Sequence, residues 1–127
     1  MVERRRGRIV NVSSGAGTRG IPYMSAYVAS KAALTRFTEA LAGELRPHGV
    51  SVFAIQLGTV RTAMAEQLMA SEAGARWLPW FKQIFDEGRD DSPRQAVDLV
   101  LRLASGAADH LSGRFLIATD LEGESIA

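Results

Sequence analysis

Apolar positions in this chain fall into short unbroken runs and longer stripes of helical period, and the two alternate. Arg8-Ile9-Val10-Asn11-Val12-Ser13 is a β-branched run that ends in Ser14-Gly15-Ala16-Gly17-Thr18-Arg19-Gly20, the pattern of a buried strand opening into a flexible loop. From Ser25 to Arg46 the apolar residues Val28, Ala32, Ala33, Phe37, Ala40, Leu41 and Leu45 recur at helical spacing. Ser25 is placed to cap that helix, and Pro47-His48-Gly49 stops it. Val50 to Leu57 reads as a second strand, stopped at Gly58, and strand-helix-strand at this spacing predicts a right-handed parallel crossover.

Both tryptophans lie between Arg61 and Asp91, where Trp77, Trp80, Phe81, Ile84 and Phe85 fall at i, i+3, i+4, i+7 and i+8. One face of a short helix is therefore expected to be aromatic, either as a stripe docked on the core or as a lid over an apolar substrate pocket. Ser92-Pro93-Arg94-Gln95 combines a capping-box spacing with proline at the first helical position, and Ala96, Leu99, Val100 and Leu103 carry a second main helix to Ser105-Gly106. Arg114 to Thr119 supplies a third strand, and Asp120 to Ala127 shows no clear pattern. No repeat or low-complexity segment interrupts this α/β order.

Composition narrows the partners. The 127 residues are 46% hydrophobic and 23% charged, which suits one globular core and argues against disorder. Fifteen basic and 14 acidic residues are interspersed to a net charge of +1, so no summed field steers the chain to nucleic acid or an anionic membrane. A small neutral partner fits better. Without cysteine, and with only His48 and His110, a tetrahedral zinc site is not expected. No apolar run approaches the ~20 residues that span a bilayer, and no signal-peptide core follows Arg4-Arg5-Arg6, so a cytoplasmic protein is expected. Only two of the 15 basic residues are lysines, Lys31 and Lys82. A retained lysine invites explanation, because arginine cannot lend itself to the same pKa-tuned chemistry.

Tyr27 and Lys31 stand four residues apart near the start of the first helix, so both project from one face about one turn apart. A free phenol titrates near ~10, and a neighbouring ammonium favours its ionised form, so the pair suits acid-base work on a hydroxyl or carbonyl. Ser14, at the strand end in the loop leading to that helix, can offer a hydroxyl to the reacting oxygen. Ser13 is better explained by a local bond from its side chain to the backbone.

These residues bring a family into view. Gly7 to Ser14, Ala26 to Ala33 and Gly49 to Ile55 resemble the catalytic, C-terminal half of the short-chain dehydrogenases/reductases. The resemblance implies a doubly wound Rossmann-type parallel sheet, here three strands, two main helices and a substrate lid over 61–91. It also implies catalytic roles for Ser14, Tyr27 and Lys31. In the family the serine thirteen positions before the tyrosine orients the substrate oxygen, and that count lands on Ser14. Tyr27 would exchange the proton while hydride passes to or from NAD or NADP, and Lys31 would favour the phenolate and hold the nicotinamide ribose. Tyr27 and Lys31 are thereby cofactor-binding as well, together with Gly58, Val60 and Thr62, which occupy the turn that meets the nicotinamide carboxamide. Leu57 stands where that turn has proline. The partner implied is a small carbonyl or alcohol. The family also forms dimers and tetramers through helices beside the active site, and the small-residue-rich Ser25 to Arg46 helix suits such a homo-oligomer.

The family's N-terminal half, with its glycine-rich phosphate loop, has no counterpart in residues 1–127, which are expected to form a partial catalytic domain. Gly15-Ala16-Gly17-Thr18-Arg19-Gly20 matches G-x-G-x-x-G, but Ile21-Pro22-Tyr23-Met24 separates it from the helix that should open at the glycines, so it is rejected as a dinucleotide fingerprint. The opposing reading is a non-catalytic α/β domain that keeps the scaffold and binds no cofactor.

Overall fold

A computed structural model describes residues 1–121. Positions 122–127, part of the stretch without clear pattern, lie outside the described residues.

β1 (Gly7–Val12), β2 (Val50–Ile55) and β3 (Phe115–Leu116) form one parallel sheet in the order β1-β2-β3. Gly7 pairs with Val50 and Val12 with Ile55, while Ala54 and Ile55 pair with Phe115 and Leu116. Both connections are helical: α1 (Ser25–Leu45) links β1 to β2, and α5 (Pro93–Ser105) precedes β3. The parallel α/β sheet inferred from the strand-helix-strand spacing is present. The third strand, expected over 114–119, is only two residues long, because the chain turns into a short 3-10 stretch at Ala118–Leu121.

β2 is the central strand and is buried on both faces. Phe53 and Ile55 point into the main apolar cluster with Leu99 and Leu103 of α5, Ala108, Leu116 and Leu121. Alternation along the strand sends Val52 and Ala54 to the opposite face, where α1 packs.

The face that α1 buries is not the one its apolar period suggests. Thr35, Thr38 and Ala42 are buried, whereas Ala33, Phe37 and Ala40 are exposed, Phe37 at 56%. Small side chains let the helix approach the sheet closely, and the two threonine hydroxyls are satisfied there. Thr35 Oγ1 donates to the Lys31 carbonyl at 2.9 Å and Thr38 Oγ1 to that of Leu34 at 2.8 Å, while Asn11 Nδ2 on β1 donates to Thr38 Oγ1 at 2.9 Å. Among the described residues no buried side-chain nitrogen or oxygen lacks a partner, as a polar interface of this kind requires.

Two helix starts contrast. Ser92 caps α5 with the full capping box, Gln95 Oε1 accepting from the Ser92 amide and Pro93 opening the helix. Ser25, expected to cap α1, is instead its first helical residue; Met24 holds the cap position with no side-chain bond. The expected helix of 77–85 is also divided. The segment after β2 folds as α2 (Ala63–Ala70), α3 (Glu72–Trp77) and α4 (Pro79–Asp86). Pro79 lacks the amide that would continue α3, so the chain restarts at Leu78. Phe85 is buried and Phe81 half-buried against it, with ring centroids 5.3 Å apart, whereas Trp77 and Trp80 stay 42% and 40% exposed. The aromatic stripe is thus split between packing and surface.

Candidate active site

The C-terminal end of β1 and the second turn of α1 are tied by reciprocal bonds. Lys31 Nζ donates to the Val12 carbonyl at 2.9 Å, and Ser13 Oγ donates back to the Lys31 carbonyl at 3.1 Å. Ser13 Oγ also lies 2.8 Å from Thr35 Oγ1, and the Ser13 amide donates to Ile55 O on β2 at 2.8 Å. Ser13 is therefore a buried anchor between strand and helix, a longer-range role than the local bond its position suggested.

On the solvent side of that anchor, the Lys31 ammonium lies 5.6 Å from the centroid of the Tyr27 ring. Helical spacing of four brings the two side chains together, and the Val12 carbonyl fixes where the ammonium points. An ammonium has three donors. One goes to Val12, leaving two to face a ligand. Both residues are partly exposed, so a ligand can reach them.

Ser14 follows immediately. Its backbone is extended, and its Oγ accepts from the Ala16 amide at 3.2 Å, capping the 3-10 turn Gly15–Gly17. An accepted bond uses a lone pair and leaves the hydroxyl proton free to donate. The glycines of the rejected fingerprint have a packing role: a Cβ on Gly17 would sit 2.7 Å from the Lys31 carbonyl oxygen, and one on Gly15 would sit 2.7 Å from Gln56 Oε1. The turn presses against α1 where a phosphate loop would open one.

The loop after β2 holds the remaining candidates. Gly58 adopts φ +85, a conformation that strongly favours glycine. Val60 is half-buried, and Thr62 caps α2, its Oγ1 accepting from the Ala65 amide at 3.2 Å. Asp91 grips this loop from the far end of the 61–91 segment. Its amide donates to Thr59 O at 2.9 Å, and its Oδ2 accepts from the Thr59 amide at 2.6 Å. No motif marked Asp91; an acidic residue just before the Ser92 cap was the only available sign.

Two small cavities border these elements. One of about 110 Å³ is lined by Gly58, Asp91, Gln95 and Thr119 at the C-terminal ends of β2 and β3, the edge at which open parallel sheets bind ligands. The other, about 160 Å³, lies among α2, α3 and α4 and is lined by Leu68, Met69, Leu78 and Phe81. Among the described residues no cluster of histidine and carboxylate side chains could hold a metal, and no helix is long and apolar enough to cross a membrane.

Comparison with known proteins places this arrangement. The family model described as short chain dehydrogenase matches residues 1–73. The chain is 35% identical over 119 residues to the 2,5-dichloro-2,5-cyclohexadiene-1,4-diol dehydrogenase of Sphingobium indicum, covering 93% of this chain and 47% of that protein. It is 34% identical over 116 residues to the 3-oxoacyl-acyl-carrier-protein reductase of Aquifex aeolicus, covering 91% and 45%. Among solved structures it superposes with a TM-score of 0.80 and 30% identity on a point variant of actinorhodin polyketide ketoreductase with NADPH, covering 98% of this chain and 50% of that one. The chain thus spans about half the length of the curated relatives it matches. Its parallel sheet, its Ser14, Tyr27 and Lys31 pattern and its match over residues 1–73 make the chain a member of the short chain dehydrogenase family.

Proposed function

We propose that this chain carries the acid-base part of a nicotinamide-dependent oxidoreductase that interconverts a small carbonyl compound and its secondary alcohol. The observation that carries the reading is the Lys31 ammonium, held by the Val12 carbonyl at 2.9 Å and lying 5.6 Å from the Tyr27 ring. Similarity to an actinorhodin ketoreductase carrying NADPH supports the choice of cofactor. So does the donor set: Lys31 has two ammonium protons for the hydroxyls of a ribose, and the Gly58 to Thr62 loop offers backbone groups to a carboxamide. When bound, NAD or NADP supplies or accepts the hydride.

In this reading Tyr27 Oη gives a proton to the substrate oxygen during reduction and takes it back during oxidation. The Lys31 ammonium lies 5.6 Å from the centroid of the ring that carries this proton. Ser14 Oγ, its lone pair engaged by the Ala16 amide, donates to the same substrate oxygen and orients the carbonyl. Residues 61–91 cover the substrate, with Trp77 and Trp80 on their exposed side. The glycine-rich phosphate loop of the family has no match in residues 7–119, so the adenosine end of the dinucleotide would be held outside the matched segments. A small-molecule partner, a homo-oligomer packed through α1 and a cytoplasmic setting belong to the same proposal.

Titration with NADH or NADPH, read by reduced-nicotinamide fluorescence, tests it. Saturable binding is expected, and no binding at millimolar cofactor would refute standalone catalysis by this chain. In a form that turns over, Tyr27→Phe abolishes turnover with cofactor affinity nearly intact; substantial residual turnover would remove Tyr27 from the acid-base role.

A further inference from the structure

Thr59 and Asp91 close the segment 61–91 at its neck. Thr59 precedes the segment and Asp91 ends it, and two bonds join them: the Asp91 amide to Thr59 O at 2.9 Å and the Thr59 amide to Asp91 Oδ2 at 2.6 Å. The approach is close enough that a Cβ on Gly58 would meet the Asp91 side chain at 2.7 Å. Leu57-Gly58-Thr59 contains no proline. A glycine at φ +85 leaves such a turn with many alternatives unless something outside holds it.

We infer that Asp91 is a positioning residue, clamping the Leu57 to Thr62 loop to the foot of the 61–91 segment so that Val60 and Thr62 keep their place. The inference rests on the cofactor reading above in one respect, that the loop is the part meeting the nicotinamide. The clamp itself stands on the reciprocal bonds. The carboxylate accepts from a backbone amide, a charge-assisted bond of the stronger kind. It comes from the residue just before Ser92, the N-cap of α5, so the loop is referred to a rigid helix. Thr62 starts α2 and β2 ends at Ile55, so Asp91 holds the span between them near its middle.

Amide hydrogen exchange on the full chain, followed by NMR, reads the clamp directly. In Asp91→Ala the Thr59 amide is expected to exchange about tenfold faster, with amides of Val52 and Leu116 unchanged. Asp91→Asn keeps an acceptor oxygen and should retain most of the protection. Leu57→Pro added to Asp91→Ala supplies no acceptor to the Thr59 amide but should recover part of the NADPH affinity by restricting the turn without the carboxylate. Unchanged Thr59 exchange in Asp91→Ala overturns the clamp, as does an equal acceleration at Val52 and Leu116 that Asp91→Asn does not rescue. NADPH titration of the same proteins reads the positioning role: a several-fold loss of affinity in Asp91→Ala, restored in Asp91→Asn, is expected. Wild-type affinity in Asp91→Ala despite a freed Thr59 amide overturns it. Wild-type protein that binds no NADPH defeats the cofactor reading, while the exchange data still decide the clamp.

Discussion

The Tyr23 ring lies against Trp77 with centroids 4.7 Å apart and planes tilted by 34°, joining the loop before α1 to the last residue of α3. Tyr23 is 69% exposed and adopts φ 66, a left-handed conformation that costs a tyrosine on the order of 1–3 kcal/mol. The aromatic contact helps offset that strain. A double-mutant cycle with Tyr23→Ala and Trp77→Ala, read from urea unfolding, should give a coupling of about 0.5–1.5 kcal/mol. Additive losses would mean the rings do not meet in solution. Trp77→Ala should also speed limited proteolysis within 61–91, because it removes the tie between that segment and the loop beside Tyr27.

Gly17 and Gly20 belong to the same glycine-rich stretch and should respond in opposite ways. A Cβ on Gly17 would press 2.7 Å from Lys31 O and 2.8 Å from Thr35 Oγ1, whereas one on Gly20 has nothing within 4 Å. Gly17→Ala is expected to destabilise by about 1–3 kcal/mol, since backbone on one side and a buried hydroxyl on the other must give way. Gly20→Ala should be neutral or stabilising by up to ~1 kcal/mol through the unfolded chain. Thermal unfolding of the two variants distinguishes this packing role from a phosphate-binding loop, in which both substitutions would leave stability alone.

Adjacent serines should separate structure from chemistry. Ser13→Ala removes bonds to Lys31 O and Thr35 Oγ1 in a buried site, and a loss of about 1–3 kcal/mol is expected. Ser14→Ala gives up only the cap of a three-residue turn, with a cost of about 0.5–1 kcal/mol. In a form that turns over, the order reverses: Ser14→Ala should lower kcat the more of the two. Equal kcat in Ser14→Ala and wild type would remove Ser14 from the site.

Arg8 grips Asp109 through two bonds, Nε to Oδ1 at 2.8 Å and a terminal nitrogen to Oδ2 at 2.7 Å, joining β1 to the turn after α5. The Arg8 bonds hold the Asp109 carboxyl below the usual carboxylate range; partial burial opposes this, and a bond from Ser51 adds to it. The folded state therefore binds this proton less readily than the unfolded state. The stability contributed by the pair is present above the ordinary aspartate range near ~4, and is lost as pH falls through the lower folded value. Because the Asp109 side chain is 42% exposed, the contribution is about 1 kcal/mol or less. Asp109→Asn should flatten the fall in stability between about pH 5 and 2, measured by urea unfolding at each pH. An unchanged slope would show that other carboxylates carry the acid sensitivity.

Much of the fold could be read from the residues in order. The β-branched runs at 8–13 and 50–57 became the paired strands β1 and β2, and the Ser92-Pro93-Arg94-Gln95 cap opened α5 where expected. Such signals are local: a strand run or a capping box carries its preference in a few neighbouring side chains. The proximity of Tyr27 and Lys31 was legible for the same reason, since a spacing of four on a helix brings two side chains together whatever surrounds it.

Signals that depend on a distant partner failed or were silent. Which face of α1 is buried was decided by how closely β2 approaches and by Asn11 and Ser13 satisfying Thr38 and Thr35, so Phe37 was left outside. The third strand shortened to two residues because the chain turns away into the 3-10 stretch at Ala118–Leu121. Residues 77–85 divided at Pro79, where a missing amide outweighed an aromatic period. The sequence by itself determined the α/β order, the local helix and strand preferences and the Tyr27 and Lys31 pair. Only the tertiary structure decided what holds that pair in place: the Val12 carbonyl, the Ser13 hydroxyl and the tight approach of Gly17. Each of these is a contact between segments far apart in the chain, and no short window of sequence encodes the distance between them.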